Sequence, residues 1–503
     1  MIASPHGVVV VRPDDLAGTV ASSVGRGRRF AGLFAFAGAA GATTLRAVLA
    51  GGRSLDIVEA VLPRGADTYP ALSPSVPAAA WYEREIHDLF GLVAAGQPRL
   101  DPLVLPLAGT PEVAGAARPR PGRPDGPRVV DLDTAALPRH VGGEGVFTIP
   151  YGPVRSGVFE AVEYVVETVG EHIPHLRVRP YPKHRGAARR FAGMGVADGV
   201  LLAERVEGTA SVAHATAFCQ AVEAIAATEP PPGAQLVRVL HAELERVANH
   251  LDTVVRHTEG SGQAVANARM SMHKERVLRL QARLCGHRFA RGVVVAGGVA
   301  APPRLPPAEI LAALDALQRD VEDDGRLLMQ TPSFLDRLRG TGVVPAPTAV
   351  DHGALGPVGR ASGAGEDVRV SRPYGAYRRL GFEPAEILLD GDALARQVVR
   401  LDEISTSLHL ARQAVDELSE HPGGPWRTRV AHADGFGVGW VEAPHGELLY
   451  LVATEGGRIQ QAKARSASFH NLALFGQAFR GDIFTDFVFI EASFGTSMAG
   501  VAG

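Results

Sequence analysis

Cysteine is scarce in this sequence, and the scarcity excludes several kinds of site. Only two of the 503 residues are cysteine, Cys219 and Cys285, and neither belongs to a CxxC pair. Structural zinc sites and iron–sulfur clusters are usually held by several cysteine thiolates. We therefore predict neither in this chain. The same count excludes a framework of disulfide bonds.

Long apolar runs and a marked excess of charge are also missing. No stretch approaches the roughly 20 apolar residues that a membrane-spanning helix needs, and the N-terminus shows no secretory signal. The net charge of -3 gives no reason to expect nucleic acid as a partner. Neither a GxGxxG nor a P-loop pattern is available to bind a nucleotide. We expect a cytoplasmic protein that reaches a membrane only through a partner.

A stretch rich in proline and glycine divides the chain into two units. Residues 1–100 contain three runs typical of strands, at 8–11, 30–36 and 54–62. Proline and glycine are dense from 101 to 145. Because proline cannot continue a helix or a central strand, this stretch is predicted to be an exposed linker.

The second unit, residues 146–503, is dominated by helical patterns. Apolar residues recur at spacings of three and four, which is typical of amphipathic helices. These patterns lie at 235–256, 276–286, 307–328 and 392–418, and strand-like runs lie at 437–442 and 448–453. The predicted fold class is therefore α+β. A small α/β N-terminal domain is joined by the linker to a mainly α-helical domain with a minor β component.

A charged segment near the end of the first unit matches a known signature. It reads WYEREIHDLFG at 81–91 and follows YPALSP at 69–74. It resembles the WxERExxDLFG signature of the 30 kDa-type subunit of respiratory complex I. By itself the segment would indicate the solvated face of an amphipathic helix. The resemblance instead implies structural or interface positions for Glu83, Arg84, Glu85 and Asp88.

The second unit carries a longer, ordered series of motifs. They are IPYGP at 149–153, HRG at 184–186, AELERVANHL at 242–251, GPVGRASG at 356–363, EAPHGE at 442–447 and RSASF at 465–469. The series resembles the large-subunit family shared by nickel–iron hydrogenases and the 49 kDa-type subunit of complex I. Ordered motifs are far more specific than any one of them. The whole chain thus resembles a fused C/D-type subunit, as in group 4 hydrogenases and some complex I enzymes.

The positions that hold nickel in the resembled hydrogenases carry no cysteine here. The resemblance aligns Glu207 and Ala210 with the first cysteine pair, and Ser497 and Gly500 with the second. A nickel–iron centre is held by soft thiolate ligands. We therefore expect no metal in this chain.

The complex I relatives use the same cavity to bind a quinone through a tyrosine and a histidine. Here Gly208 stands at the tyrosine position, and the corresponding loop at 155–160 contains no histidine. Glu207 is the main catalytic candidate, because a carboxyl in an apolar cavity would have a raised pKa and could relay protons. A purely structural pairing of Glu207 with Arg205 or Arg185 is an equal alternative.

Further candidates surround Glu207 in the resembled fold. His184 and His214 are polar groups that could act with it, although His214 is also expected as a hydrogen-bonded core histidine. The cavity wall is expected to include Arg185, Arg205, Gly208, Arg360, Asp367 and Arg369. Helical spacing in the ELER segment favours a buried ion-pair network over catalysis. Its members would be Glu243, Arg246 and His250.

The resemblance implies one main function and one alternative. The chain would be a peripheral-arm subunit of a membrane-bound NADH:quinone oxidoreductase-like or hydrogenase-like complex, on the inner face of the plasma membrane. It would take electrons from a small partner subunit with a [4Fe-4S] cluster and pass them to quinone or another acceptor. The alternative is a non-catalytic scaffold that docks the iron–sulfur subunit and the membrane subunits of an antiporter-like module. The chain itself would bind no cofactor, and any NAD(H) would be bound elsewhere in the complex; a stand-alone soluble enzyme is less favoured.

Overall fold

The computed structural model describes residues 6–38, 41–105, 141–155, 160–421 and 423–503. Most of the predicted linker, residues 106–140, lies outside the described residues, so its exposure stays a prediction. The start of that stretch is packed against the first unit. Leu103 and Val104 are buried, and the Asp88 carboxylate accepts their backbone N–H groups at 2.7 and 2.9 Å.

The first unit is a four-stranded sheet with helices packed against it. Its main strands are β1 (His6–Val11), β2 (Arg29–Ala37), β3 (Thr43–Gly51) and β4 (Ser54–Leu62), and its helices are α1 (Leu16–Gly25) and α2 (Ala80–Phe90). A short parallel pair consists of β5 (Thr68–Pro70) and β6 (Val93–Ala95). The sheet order is β1-β4-β3-β2, with β1 parallel to β4 and the other neighbours antiparallel. The three predicted strands are confirmed, whereas β3 and the serine-containing helix α1 were missed.

The charged residues of α2 point inward. Glu83 is fully buried and accepts backbone N–H groups from Leu72 and Ser73. The Arg84 guanidinium donates to the carbonyl of Asp101 at 2.7 Å. Since a buried carboxylate is stable only when it is hydrogen-bonded, these side chains tie loops to the helix. They do not form a solvated face.

The second unit is mainly helical, as predicted. Its helices are α3 (Ala187–Arg190), α4 (Val196–Ala203), α5 (Ser211–Ile225), α6 (Pro232–Gly260), α7 (Ala264–Cys285), α8 (Pro307–Leu328), α9 (Pro332–Leu338), α10 (Ala346–His352), α11 (Gly356–Arg360), α12 (Val368–Ser371), α13 (Ala393–Leu418), α14 (Ala467–Leu472), α15 (Phe487–Phe494) and α16 (Met498–Val501). Helix α6 packs against both α7 and α13. It is longer than the predicted 235–256, because Pro232 provides a favourable first turn. The fold class is confirmed as α+β.

Two small antiparallel sheets complete this unit. One contains β7 (Val146–Tyr151), β8 (Glu163–Val169) and β9 (His172–Arg179); the other contains β12 (Gly435–Ala443), β13 (Gly446–Glu455) and β14 (Arg458–Arg465). A two-stranded ribbon consists of β10 (Val294–Val295) and β11 (Gly298–Val299). Helix α5 lies directly on β12. A Cβ added at Gly439 would be 1.8 Å from the carbonyl oxygen of Ala217, so only glycine allows this approach.

The two units share a continuous core and direct polar contacts. The Tyr82 hydroxyl donates to His470 Nδ1 at 2.8 Å, and Arg29 pairs with Glu447 at 2.8 Å. A single cluster of buried apolar side chains includes residues from both units. Within the described ranges, no helix combines the length and the apolar character needed to cross a membrane.

Candidate functional site

A buried carboxylate lies between two imidazoles where α5 meets the β12–β13 turn. Glu207 lies in the turn before α5, and its side chain is 2% exposed. Its Oε2 is 3.3 Å from His214 Nε2, and its Oε1 is 2.9 Å from His445 Nε2. The close packing of α5 on β12 therefore brings together groups that are far apart in the sequence.

His214 continues this contact into a hydrogen-bonded chain. Its Nδ1 lies 2.9 Å from the Tyr450 hydroxyl. Burial, with the nearby Glu207 charge, raises the pKa of Tyr450 well above its ordinary value, so the hydroxyl keeps its proton. Tyr450, His214 and Glu207 therefore form one continuous chain of polar contacts.

His445 is the member of this group that solvent reaches. Its side chain is 13% exposed, against 1% for His214. Its Nε2 and Glu207 Oε1 lie within ion-pair distance, yet neither has an aligned hydrogen bond among the described residues. Our sequence prediction missed His445, although the EAPHGE motif places it where the resembled EAPRGE segment carries arginine.

The four positions that the resemblance aligns with nickel ligands do not fit a metal centre. A Cβ added at Gly500 would be 2.2 Å from Glu207 Oε2 and 2.7 Å from Ser466 Oγ. The Glu207 carboxylate thus fills the space that a side chain at position 500 would need. Ala210 is buried and has no ligand atom, and the Ser497 hydroxyl donates to a carboxylate at 3.1 Å. Among the described residues, no group of three or more His, Cys, Asp or Glu could hold a metal ion.

The expected raised pKa of Glu207 is wrong. Burial alone would raise its pKa, but His445 and His214 face the carboxylate and lower its pKa far below the ordinary value. The proposed pairing with Arg205 or Arg185 is also wrong. Arg205 is 51% exposed and donates to the carbonyl of Leu201 at 2.6 Å, so it does not face Glu207.

Arg185 joins the two segments that flank Glu207. Its guanidinium donates to the carbonyls of Arg205 at 3.0 Å and Ala499 at 3.1 Å, and also to that of Val206. This arginine therefore links the turn before α5 to the C-terminal turn.

Two more expected site residues lie nearby without touching Glu207. His184 Nδ1 lies 2.6 Å from the carbonyl of Ala502, and burial lowers the pKa of His184. At Gly208, an added Cβ would be 3.3 Å from Arg291 Nη2.

Glu160 is a further polar residue that the sequence prediction did not include. Its carboxylate accepts both the Ser497 hydroxyl and the backbone N–H of Ala499 at 3.1 Å. It therefore holds the C-terminal turn from a position just before β8.

The remaining candidates form a buried ion network. Arg369 donates to Glu243 at 3.0 Å and to Asp367 at 2.7 Å, and Arg246 donates to Glu243 at 3.1 Å. Arg360 donates to Glu403 at 2.8 Å. The predicted pairing is thus present. Within the described residues, no hydrogen bond or ion pair joins this network to Glu207.

His250 is the neutral member of this network. Its Nε2 lies 2.8 Å from Glu403. Burial, only partly opposed by that carboxylate, lowers the pKa of His250 to about 4. His250 therefore carries no charge at neutral pH and acts as a hydrogen-bonding core residue.

The turn that carries His445 is held at both ends by buried arginines. Glu442 pairs with Arg360 at 3.1 Å. Glu447 contacts Arg29, Arg372 and Arg465. Because a side chain with several charge-assisted hydrogen bonds has little freedom to move, His445 is presented from a rigid turn.

Comparisons with known proteins match this geometry to a family. Residues 262–434 and 426–502 match the profile described as "Respiratory-chain NADH dehydrogenase, 49 Kd subunit". Residues 45–113 match "Respiratory-chain NADH dehydrogenase, 30 Kd subunit". The chain is 34% identical to the carbon monoxide-induced hydrogenase of Rhodospirillum rubrum, over 65% of this chain and 90% of that protein. The chain belongs to the 49 kDa and hydrogenase large-subunit family.

Two further comparisons cover most of the chain. The fused C/D-type subunit of the NADH-quinone oxidoreductase of Acidiphilium cryptum is 26% identical, over 88% of this chain and 82% of that protein. A chain of an archaeal membrane-bound sulfane sulfur reductase superposes with a TM-score of 0.67 at 24% identity, covering 72% of this chain and 99% of that chain. The second comparison establishes the fold alone.

Proposed function

We propose that this chain is a peripheral-arm subunit of a membrane-bound oxidoreductase complex. It takes electrons from a [4Fe-4S] cluster in a small partner subunit and passes them to quinone or another small acceptor. Membrane subunits hold it at the inner face of the membrane, and any NAD(H) binds elsewhere in the complex. Support comes from the relatives, whose names describe a hydrogenase and the C/D-type subunit of an NADH-quinone oxidoreductase.

The observation that carries this proposal is the buried Glu207 carboxylate between two imidazoles. Reduction of a quinone to a quinol takes up two electrons and two protons. The partner cluster would supply the two electrons one at a time. Both protons come from solvent, because His445, which solvent reaches, passes them in turn to the two acceptor oxygens. Glu207 faces the His445 imidazole at 2.9 Å, while Tyr450 and His214 fix the orientation of the carboxylate. His184 lies against the carbonyl of Ala502 and has no role in the proposed reaction.

The alternative function is a scaffold without chemistry. One observation favours it: the buried ion network is fully assembled although the metal-ligand positions are lost. A buried network of this kind holds a fold in one arrangement, whether or not an acceptor binds. The chain would then dock the iron–sulfur subunit onto the membrane subunits.

Turnover of the assembled complex separates the two functions. The complex is purified with the products of the neighbouring genes, and reduction of a short-chain quinone is measured with the partner cluster reducible. Glu207→Gln is nearly isosteric but cannot carry the negative charge. We expect at least a hundredfold loss of turnover with assembly intact, because His445 loses its carboxylate partner and acid–base groups contribute about 10²–10⁴ to rate.

The matched control is another buried glutamate on the same segment. Glu204 accepts the backbone N–H of Gly292 at 2.6 Å and contacts neither imidazole. Glu204→Gln keeps an acceptor there and should retain turnover. Equal turnover of Glu207→Gln and wild type would favour the scaffold.

A substitution at His445 separates charge from proton transfer. His445→Arg places a permanent cation beside Glu207, but arginine does not release a proton in proteins. We expect normal assembly and lost turnover. Full turnover of this variant would show that only the positive charge matters.

A further inference from the structure

A cavity lies between the two units, away from Glu207. Its volume is about 260 Å³. One wall comes from α2 and the residues that follow β6, and the others from β9 and the segment after α14. Five arginines line it: Arg84, Arg99, Arg177, Arg179 and Arg480. We call it the arginine cavity.

Acidic side chains compensate this positive charge only in part. Asp101 is the acidic residue among the lining side chains, and it pairs with Arg99. Arg179 pairs with Glu163, 3.0 Å away on β8. Arg84 donates to backbone carbonyls at 2.7 and 3.0 Å. The cavity therefore holds more cations than carboxylates.

Arg177 is the least satisfied of these arginines. Its Nη2 lies 3.5 Å from Glu167, while its Nε and Nη1 are buried without a hydrogen-bond partner among the described residues. Burial lowers the pKa of Arg177, and burial together with Arg99 and Arg177 lowers the pKa of Arg84 to about 10. Both guanidinium groups stay charged at neutral pH. Buried donors of a charged group are costly when they are left unpaired.

We propose that the arginine cavity binds a phosphate-type oxyanion that bridges the two units. The planar guanidinium matches the paired oxygens of such an anion and binds them with two parallel hydrogen bonds. An anion here supplies the partner that Arg177 lacks, and it offsets the charge beside Arg84. The cavity holds a phosphate group with water but has no room for a large ligand. This inference does not depend on the redox role.

The test is a binding measurement on the full-length chain at constant ionic strength. Inorganic phosphate and pyrophosphate are titrated by calorimetry, with chloride as the reference salt. Arg177→Gln keeps most of the length of the side chain and removes the charge. The matched control is Arg326→Gln, an exposed arginine on α8 that pairs with Asp323. We expect at least tenfold weaker binding for Arg177→Gln and unchanged binding for the control.

Two further measurements keep the proposal falsifiable. Flotation with phosphatidylglycerol and phosphatidylcholine vesicles distinguishes a lipid headgroup from a free phosphate: a lipid source predicts flotation with the anionic vesicles only, abolished by Arg177→Gln. If Arg177→Gln does not fold, Arg480→Gln at the exposed rim replaces it. No binding of any of these anions by wild type, or equal binding by the variants and the control, overturns the proposal.

Discussion

The substitution Gly500→Ala tests whether Glu207 has taken the space of a former ligand. Gly500 lies within α16, and both α16 and α1 contain a glycine in helical backbone. A Cβ at position 500 would lie 2.2 Å from Glu207 Oε2 and 2.7 Å from Ser466 Oγ. At Gly18 in α1, an added Cβ meets nothing within 4 Å. The two substitutions therefore add the same methyl group, to a filled site and to an open one.

The expected change in the free energy of unfolding is the difference between two opposing contributions. Alanine is better than glycine in a helix by about 1 kcal/mol. Forcing a methyl group into a filled core costs about 1–3 kcal/mol. Because the obstructing atom belongs to a carboxylate held by two imidazoles, we take the upper half of that range. Gly500→Ala should thus destabilise the chain by about 1–2 kcal/mol, whereas Gly18→Ala should stabilise it by about 0.5–1 kcal/mol.

Urea unfolding followed by far-ultraviolet circular dichroism measures both effects. A second pair of variants isolates the cause. In a Glu207→Ala background, the loss in the free energy of unfolding caused by Gly500→Ala should shrink by at least about 1 kcal/mol, as expected for contacting residues. If Gly500→Ala proves as stable as Gly18→Ala, or if its cost is the same with and without the carboxylate, the reasoning fails.

Three other predictions follow from the same contacts. Elemental analysis of the purified chain should find no stoichiometric nickel, since Glu207 and Gly500 replace thiolates; one nickel per chain would contradict this. Limited proteolysis should cut first within residues 106–140, and the fragments should co-elute on size exclusion because Tyr82 and His470 join the units; separate elution would contradict the shared core. A carboxyl with a lowered pKa stabilises the fold above its ordinary value of 4.5 and loses this effect as the pH falls through the folded pKa. The stability difference between wild type and Glu207→Gln should therefore be constant near neutrality and shrink below about pH 4.5; a difference that grows on acidification would refute it.

Periodicity and ordered motifs predicted most of the fold. Apolar spacing located α8 and α13 nearly to the residue, because a helix that buries one face must repeat its apolar side chains every three or four positions. The charged residues of α2 were harder to interpret from sequence. A solvated glutamate and a buried one such as Glu83 occur in the same local sequence pattern. Only the contact with the loop at Leu72, whose backbone N–H donates to Glu83, shows that this glutamate is buried.

The site could be predicted only in part, for a related reason. Alignment identified Glu207, and sequence proximity suggested Arg205 as its partner. Its actual partners are His214, which was among the candidates, and His445, which is more than two hundred residues away along the chain. They come within reach because glycines such as Gly439 let α5 lie on β12, a contact with no local sequence signature.

The turn before α5 and the C-terminal turn are joined by hydrogen bonds to charged side chains. In the resembled hydrogenases, cysteines before α5 and near the C-terminus would meet at one nickel ion. Here Arg185 donates to Val206 on one side and to Ala499 on the other, and Glu160 holds the same C-terminal turn. Hydrogen bonds to charged groups contribute about 1.5–3 kcal/mol each. This arginine and this glutamate therefore do the joining, and the site can keep its shape without a metal.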